Sequence, residues 1–233
     1  MDTIQFHDIT FQYDHERGNV LDAFTLSIKK GEWLGIVGSS GAGKTTIFDL
    51  LLQFYYPQMG RIRVDGVDIQ EISTSSLRSK ITLVSQDTFL FPGTIQENLL
   101  YANPMATDEE MHEVLNMVYL DDLVQSLPEG MHTEIGENGI LLSGGEKQRL
   151  CLARGLLRDC EIILLDEVTA NIDKASEENI KNTLKEIKKT RDMTIVAISH
   201  RLDFLEDVDR IVVVESGRVT KELSYKEYAA SSL

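Results

Sequence analysis

The sequence predicts an α/β fold with a mostly parallel sheet, an antiparallel β-subdomain at the N-terminus and an inserted α-helical subdomain. Three observations carry this. Strand and helix patterns alternate along most of the chain, the order that builds parallel sheets. The stretch GSSGAGKTT, Gly38 to Thr46, joins an apolar strand to a helix. Between Gln86 and Arg158 strand patterns nearly vanish and helical periodicity takes over.

Ile4 to Tyr13 and Phe24 to Ile28 read as strands around the turn-prone HERGN. WLGIVG is a third strand that runs into glycines, and TTIFDLLLQF is a helix with an apolar stripe that ends before Pro57. RIRVDGVDI is a hairpin, because Asp65-Gly66 is a favoured two-residue turn. ITLVS follows as a strand, and helices are expected over TIQENLLYA, TDEEMHEVLNMVYL and SGGEKQRLCLARGLLR. Sheet logic resumes with EIILLDE, a helix over SEENIKNTLKEIKK, the strand MTIVAIS and a last hairpin around RIVVVESGRV.

With 233 residues the chain can bury a substantial core as one large domain. Its net charge of −15 leaves no basic footprint for nucleic acid, so no nucleic-acid partner is expected. No apolar run reaches the length of a membrane span. Cys151 and Cys160 sit in apolar stretches, which predicts buried reduced thiols and a cytoplasmic setting. His7, His15, His112 and His132 are scattered without metal-ligand spacing and read as structural.

GSSGAGKTT contains G-x-x-x-x-G-K-T, the spacing of a phosphate-cradling loop. Within a nucleotide-binding stretch of Gly38, Ser39, Ser40, Gly41, Ala42, Gly43, Lys44, Thr45 and Thr46, the backbone N–H groups of Gly41, Gly43 and Lys44 can wrap the phosphates, Lys44 neutralises charge, and the Thr45 hydroxyl can reach Mg²⁺. A plain glycine-rich turn is the bland alternative, and the lysine together with the strand and helix context weighs against it. IILLDE describes a buried parallel strand that delivers Asp166 and Glu167 to its C-terminal end. There Asp166 would hold Mg²⁺ and Glu167 would polarise the attacking water, whereas alone the pair reads equally as a helix cap. Gln86 and His200 each follow an apolar strand, and spacing leaves a structural and a site role equally open. Ser143 and Glu146 form a capping box, yet Gly144 and Gly145 weaken the same helical turn, which suggests an anion close to the backbone.

Taken in order, GSSGAGKTT, VSQD, LLSGGEKQR, IILLDE and ISHR resemble the nucleotide-binding domain of an exporter-type ATP-binding cassette transporter over nearly the whole chain. The resemblance implies a P-loop NTPase (RecA-like) core and one domain over 1–233, with β-subdomain and ATPase core in 1–86 and 158–233 and the helical signature subdomain in 87–157. It implies ATP and Mg²⁺ as cofactors, and Gln86 and His200 as the family's Q-loop and switch histidine. Tyr13 in FQYD matches the aromatic residue that stacks on adenine, although by itself it reads as an ordinary strand aromatic. In this family two cassettes pack head to tail. Ser143, Gly144, Gly145 and Glu146 would then face the partner's nucleotide, in a homodimer or a heterodimer. Powering export also implies a transmembrane domain, encoded before residue 1, and a place on the cytoplasmic face of the membrane.

LFPGTIQENLLYANP and TEIGENG resemble the exporter segments that face membrane subunits. Phe89, Leu90, Phe91 and Ile95 form either a docking patch or helical core. The chain departs from the pattern at Val168, where alanine is usual, at Ala170-Asn171-Ile172-Asp173 in place of S-A-L-D, and at Asn138, where arginine is frequent. An importer ATPase is the nearest alternative. A catalytically dead cassette is disfavoured by Glu167 and His200, and a chromosome-maintenance ATPase by the lack of a coiled-coil insertion.

Overall fold

The computed structural model describes residues 1–14, 18–170 and 172–231, without the side chain of Asn138. His15 to Arg17 of the expected HERGN turn and Asn171 therefore lie outside the described residues. In chain order the strands and helices are β1 (Thr3–Phe11), β2 (Leu21–Lys29), β3 (Trp33–Val37), α1 (Lys44–Leu51), β4 (Met59–Val64), β5 (Val67–Asp68), α2 (Thr74–Ser79), β6 (Ile81–Ser85), α3 (Ile95–Leu100), α4 (Asp108–Met117), α5 (Asp121–Ser126), α6 (Gly144–Leu157), β7 (Ile162–Asp166), α7 (Lys174–Arg191), β8 (Thr194–Ile198), β9 (Arg210–Glu215), β10 (Arg218–Leu223) and α8 (Tyr225–Ser231).

Two sheets result. The first, ordered β2-β1-β4-β5, is antiparallel. The second, ordered β10-β9-β3-β8-β7-β6, is parallel except for its edge strand β10. This matches the expected architecture, and the Asp65-Gly66 turn takes positive φ at both residues as a tight hairpin requires.

Side-chain alternation in the parallel strands divides the interior into two cores. Leu34, Ile36, Ile162, Leu164, Val196 and Ile198 face one core, with α1 and the antiparallel sheet. Trp33, Val37, Ile163, Leu165, Ile195 and Ala197 face the other, with α3, α4, α6 and α7. Burial on both faces is why these strands read as continuous apolar runs.

Three short helices escaped the sequence reading. α2, α5 and α8 are six, six and seven residues long and lack the i, i+4 aliphatic spacing that marks the equally short α3. The docking patch also divides: Leu90 and Ile95 are buried core, Phe89 is exposed, and Phe91 stacks on Tyr101 at 3.8 Å. Among the described residues, no helix is long and apolar enough to cross a membrane.

Candidate functional site

Four of the sequence motifs meet at one edge of the second sheet. β3 ends at the glycine-rich loop, β6 at Gln86, β7 at Asp166 and Glu167, and β8 just before His200. Because these strands are parallel, all four ends lie on the same side, the side on which open α/β sheets bind ligands.

The loop from Gly38 to Gly43 owes its shape to backbone angles that side chains disfavour. Gly41 has φ +77° with open space around its missing Cβ, so conformation alone calls for glycine there. Gly43 has φ +95°, and a Cβ would lie 2.9 Å from the Val20 carbonyl oxygen, so both angle and space call for glycine. Gly43 also leads into α1 without any side-chain cap, which leaves the first N–H groups of that helix available to an anion. Lys44 is buried, and its Nζ donates to the carbonyls of Gly38 and Ser39, both at 2.9 Å. Burial lowers its pKa, opposed by the nearby carboxylates of Glu167 and Asp166. A bare N–H cradle with a cation folded across it fits a polyphosphate.

The metal residues fit as well. Burial raises the pKa of Asp166; a hydrogen bond with Thr45 pulls it down, and the charges of Glu167 and Asp49 push it up. Two carboxylates, Asp166 and Glu167, therefore lie near one lysine. Hard oxygen donors in surplus negative charge suit Mg²⁺, which typically takes one or two protein oxygens plus phosphate and water. No cluster of three or more potential His, Cys, Asp or Glu ligands occurs among the described residues.

Glu167 adopts φ 50°, a left-handed conformation that is strained for a side-chain-bearing residue. Two backbone bonds hold it there: its N–H donates to Ile198 O at 3.0 Å, and its carbonyl accepts from Ala170 N–H at 2.9 Å. The result aims its carboxylate across the strand ends, where Oε1 lies 3.0 Å from His200 Nε2.

Tyr13, Gly41, Lys44, Thr45 and Glu167 line a single open cavity. Tyr13 stands at its rim, about half exposed, edge-on to Phe11 and Tyr55. Its hydroxyl donates to Asp49 at 2.7 Å and pairs with Thr46 at 3.0 Å, and burial pushes its pKa up to about 12. Asp49 was not picked out in the sequence because one carboxylate in a helix ordinarily reads as solvated surface.

The signature residues form a separate group. Ser143 Oγ accepts from Glu146 N–H at 3.3 Å while Glu146 Oε2 accepts from Ser143 N–H at 2.7 Å, which completes the capping box. The Glu146 carboxylate is thereby turned toward its own helix. Gly144 is exposed and lines a groove with Gln86 that is distinct from the phosphate-loop cavity. Gly145 is buried, and a Cβ on it would fall 2.3 Å from Ser176 Oγ and 2.4 Å from Ser176 Cβ. Close packing of α6 on α7 thus accounts for the second glycine, whereas the first is open to an approaching ligand. Both cysteines are free and buried.

Comparisons with known proteins agree with this picture. A family model described as ABC transporter matches residues 21–170. An uncharacterized ABC transporter ATP-binding protein of Bacillus subtilis is 43% identical over 97% of this chain, which spans 37% of that protein. A Staphylococcus aureus protein, provisionally named as a multidrug export ATP-binding/permease protein, is 42% identical over 97% of this chain, which spans 39% of its length. Among solved structures, a bacterial Atm1-family ABC exporter with ATP bound superposes on 100% of this chain with a TM-score of 0.92 at 36% identity, and this chain covers 40% of it.

Proposed function

The chain belongs to the ABC transporter family, whose ATP-binding domains hydrolyse ATP, and from that premise we propose that it binds Mg-ATP between two copies and uses hydrolysis to power export through a transmembrane domain. The observation that carries this reading is the convergence of the phosphate loop, Asp166, Glu167 and His200 at one edge of the parallel sheet.

In this reading Lys44 exchanges the Gly38 and Ser39 carbonyls for phosphate oxygens, and the N–H groups of the α1 first turn complete the cradle. Thr45 and Asp166 would hold the metal, with Gln86 reaching it from the neighbouring groove, and the metal would offset phosphate charge. Glu167 accepts a proton from the water that attacks the γ-phosphorus as the bond to the bridging oxygen of ADP breaks. His200, beside Glu167, keeps that water and a γ-phosphate oxygen aligned. Tyr13 offers its ring to the adenine.

Ser143, Gly144 and Gly145 serve the second copy's nucleotide, with Glu146 acting through the cap. Support comes from their separation from the phosphate-loop cavity, and from the exposure of Gly144 at the positive end of a fourteen-residue helix. The division into a helical unit over 87–157 and a core over 1–86 and 158–233 belongs to the same proposal. The export role and the cytoplasmic-face location rest on the names of the relatives and on the ATP-bound exporter structure.

The test is Glu167→Gln, which preserves shape and removes the base. ATP affinity is expected to stay near that of the unaltered chain while turnover falls by about 10²-fold or more. Near-normal hydrolysis by this variant contradicts the assignment.

A further inference from the structure

Among the described residues, His200 has no partner holding it in place other than the carboxylate it is read as working with. Half of its side chain is exposed, and its Nε2 lies 3.0 Å from Glu167 Oε1. Something else must fix the loop that carries it.

The next residue supplies that hold. Arg201 Nη2 lies 2.8 Å from Glu177 Oε2, and Nη1 approaches the Thr169 carbonyl at 3.5 Å. Its backbone N–H donates to Ser199 Oγ at 3.1 Å. One guanidinium therefore ties three segments: the loop after β8 that bears His200, the loop after β7 that bears Glu167, and the first turn of α7.

Glu177 is no ordinary surface acid. It is buried, and its Oε1 has no hydrogen-bond partner among the described residues. Burial raises its pKa, with Arg201 the largest opposing influence and Lys181 a lesser one. Next to it in the chain is Ser176, packed under Gly145 of the signature helix. A planar guanidinium with one nitrogen on a buried carboxylate and another on a backbone carbonyl fixes direction as well as distance.

We propose that Arg201 and Glu177 are positioning residues for hydrolysis, which hold His200 in register with Glu167 and tie that register to the α7 turn beneath the signature helix. This rests on the reading of His200 given above. Misplacing a reacting group by a fraction of its contact distance affects the chemical step more than ground-state binding.

The test uses the chain with Glu177→Gln, Arg201→Lys, Arg201→Ala, the double variant Glu177→Gln/Arg201→Ala and, in parallel, His200→Ala. Glu177→Gln is isosteric, and Arg201→Lys keeps the charge without the fork, so these two decide if Arg201→Ala does not fold. Each is expected to lower kcat by about 10- to 100-fold, with ATP affinity by titration calorimetry within about twofold. The double variant is expected to be no worse than the worse single, because both act through one contact. Nitrogen-15 imidazole spectra, recorded without nucleotide, are expected to show the His200 resonance moved or broadened in Glu177→Gln. Full kcat in Glu177→Gln and Arg201→Lys overturns the proposal, as do additive losses or an unmoved His200 resonance. Retained turnover in His200→Ala overturns both the role of His200 and this proposal. An inactive His200→Ala beside an active Glu177→Gln overturns the positioning role alone.

Discussion

Replacing Gly145 by alanine separates two explanations of the double glycine in LLSGGEKQR. The new methyl carbon would lie 2.3 Å from Ser176 Oγ and 2.4 Å from Ser176 Cβ. The hydroxyl can rotate away, but the Cβ is fixed to the backbone of the eighteen-residue helix α7. Relief therefore requires the two helices to move apart. Overpacking of this kind costs about 1–3 kcal/mol, offset by a helix-propensity gain of up to about 1 kcal/mol. A net loss on the order of 1–2 kcal/mol is expected for Gly145→Ala. In a Ser176→Gly background both clashing atoms are gone, and the same substitution should become neutral or stabilising. The interaction energy of the cycle should reach about 1–3 kcal/mol. Urea denaturation followed by the fluorescence of the single tryptophan, the buried Trp33, measures it. Equal effects of Gly145→Ala in both backgrounds would refute the packing explanation and return Gly145 to ligand access alone.

Further outcomes follow from the structure. Tyr13→Ala should weaken ATP binding by about 1–3 kcal/mol, the scale of base stacking on an aromatic ring. Tyr13→Phe should lose less, about 0.5–1.5 kcal/mol, because it removes the hydroxyl bonds to Asp49 and Thr46 that orient the ring; equal affinity in all three proteins by calorimetry would contradict both. The Cys151 thiol, pushed up to about 11 by burial despite the Arg154 guanidinium 3.0 Å away, should react slowly with iodoacetamide near neutral pH. Rapid alkylation there, seen by mass spectrometry, would show the thiol to be accessible. Chelation of Mg²⁺ should abolish hydrolysis, and steady phosphate release in excess chelator would remove Thr45 and Asp166 from the metal role. Ionisation of Tyr13 should weaken the fold: burial raises its pKa, so stability is whole below pH 10 and is lost as pH climbs toward about 12, which ultraviolet titration against unfolding can follow.

The parts of this molecule legible in the sequence are those whose physics is local. A glycine loop between strand and helix, apolar runs that end in two acids, and the capping box at Ser143 all declare themselves in contiguous residues. The short helices α2, α5 and α8 were missed because, unlike the equally short α3, they carry no aliphatic pair at helical spacing. Contacts across the fold were missed for another reason. Glu177 reads as one more acid in a charged helix, and only burial against Arg201 gives it meaning. Asp49 likewise gains a role only where Tyr13 reaches it from β1's end. Gly145 was legible as an anomaly, yet its cause, the Ser176 side chain on another helix, was not. The aromatic segment after Gln86 carried both a core and a surface signal, and the structure divides it accordingly.

A mixing experiment tests the shared site most directly. Lys44→Ala removes the cation from one copy's own phosphate loop. Gly144→Asp places a carboxylate at the exposed start of α6, where an acid is compatible with the helix dipole and folding should survive. Gly145→Asp would not serve, since the clash with Ser176 would confound it. Each variant alone should fail to trap ATP in a paired state. Mixed, they form a pair with one ruined site and one in which an intact phosphate loop meets an intact signature helix. Photocrosslinked ATP, counted on the Gly144→Asp chain after the pair is fixed, should appear only in the mixture. Trapping by either variant alone, or none in a mixture shown to pair, would contradict the account of one nucleotide held between two chains.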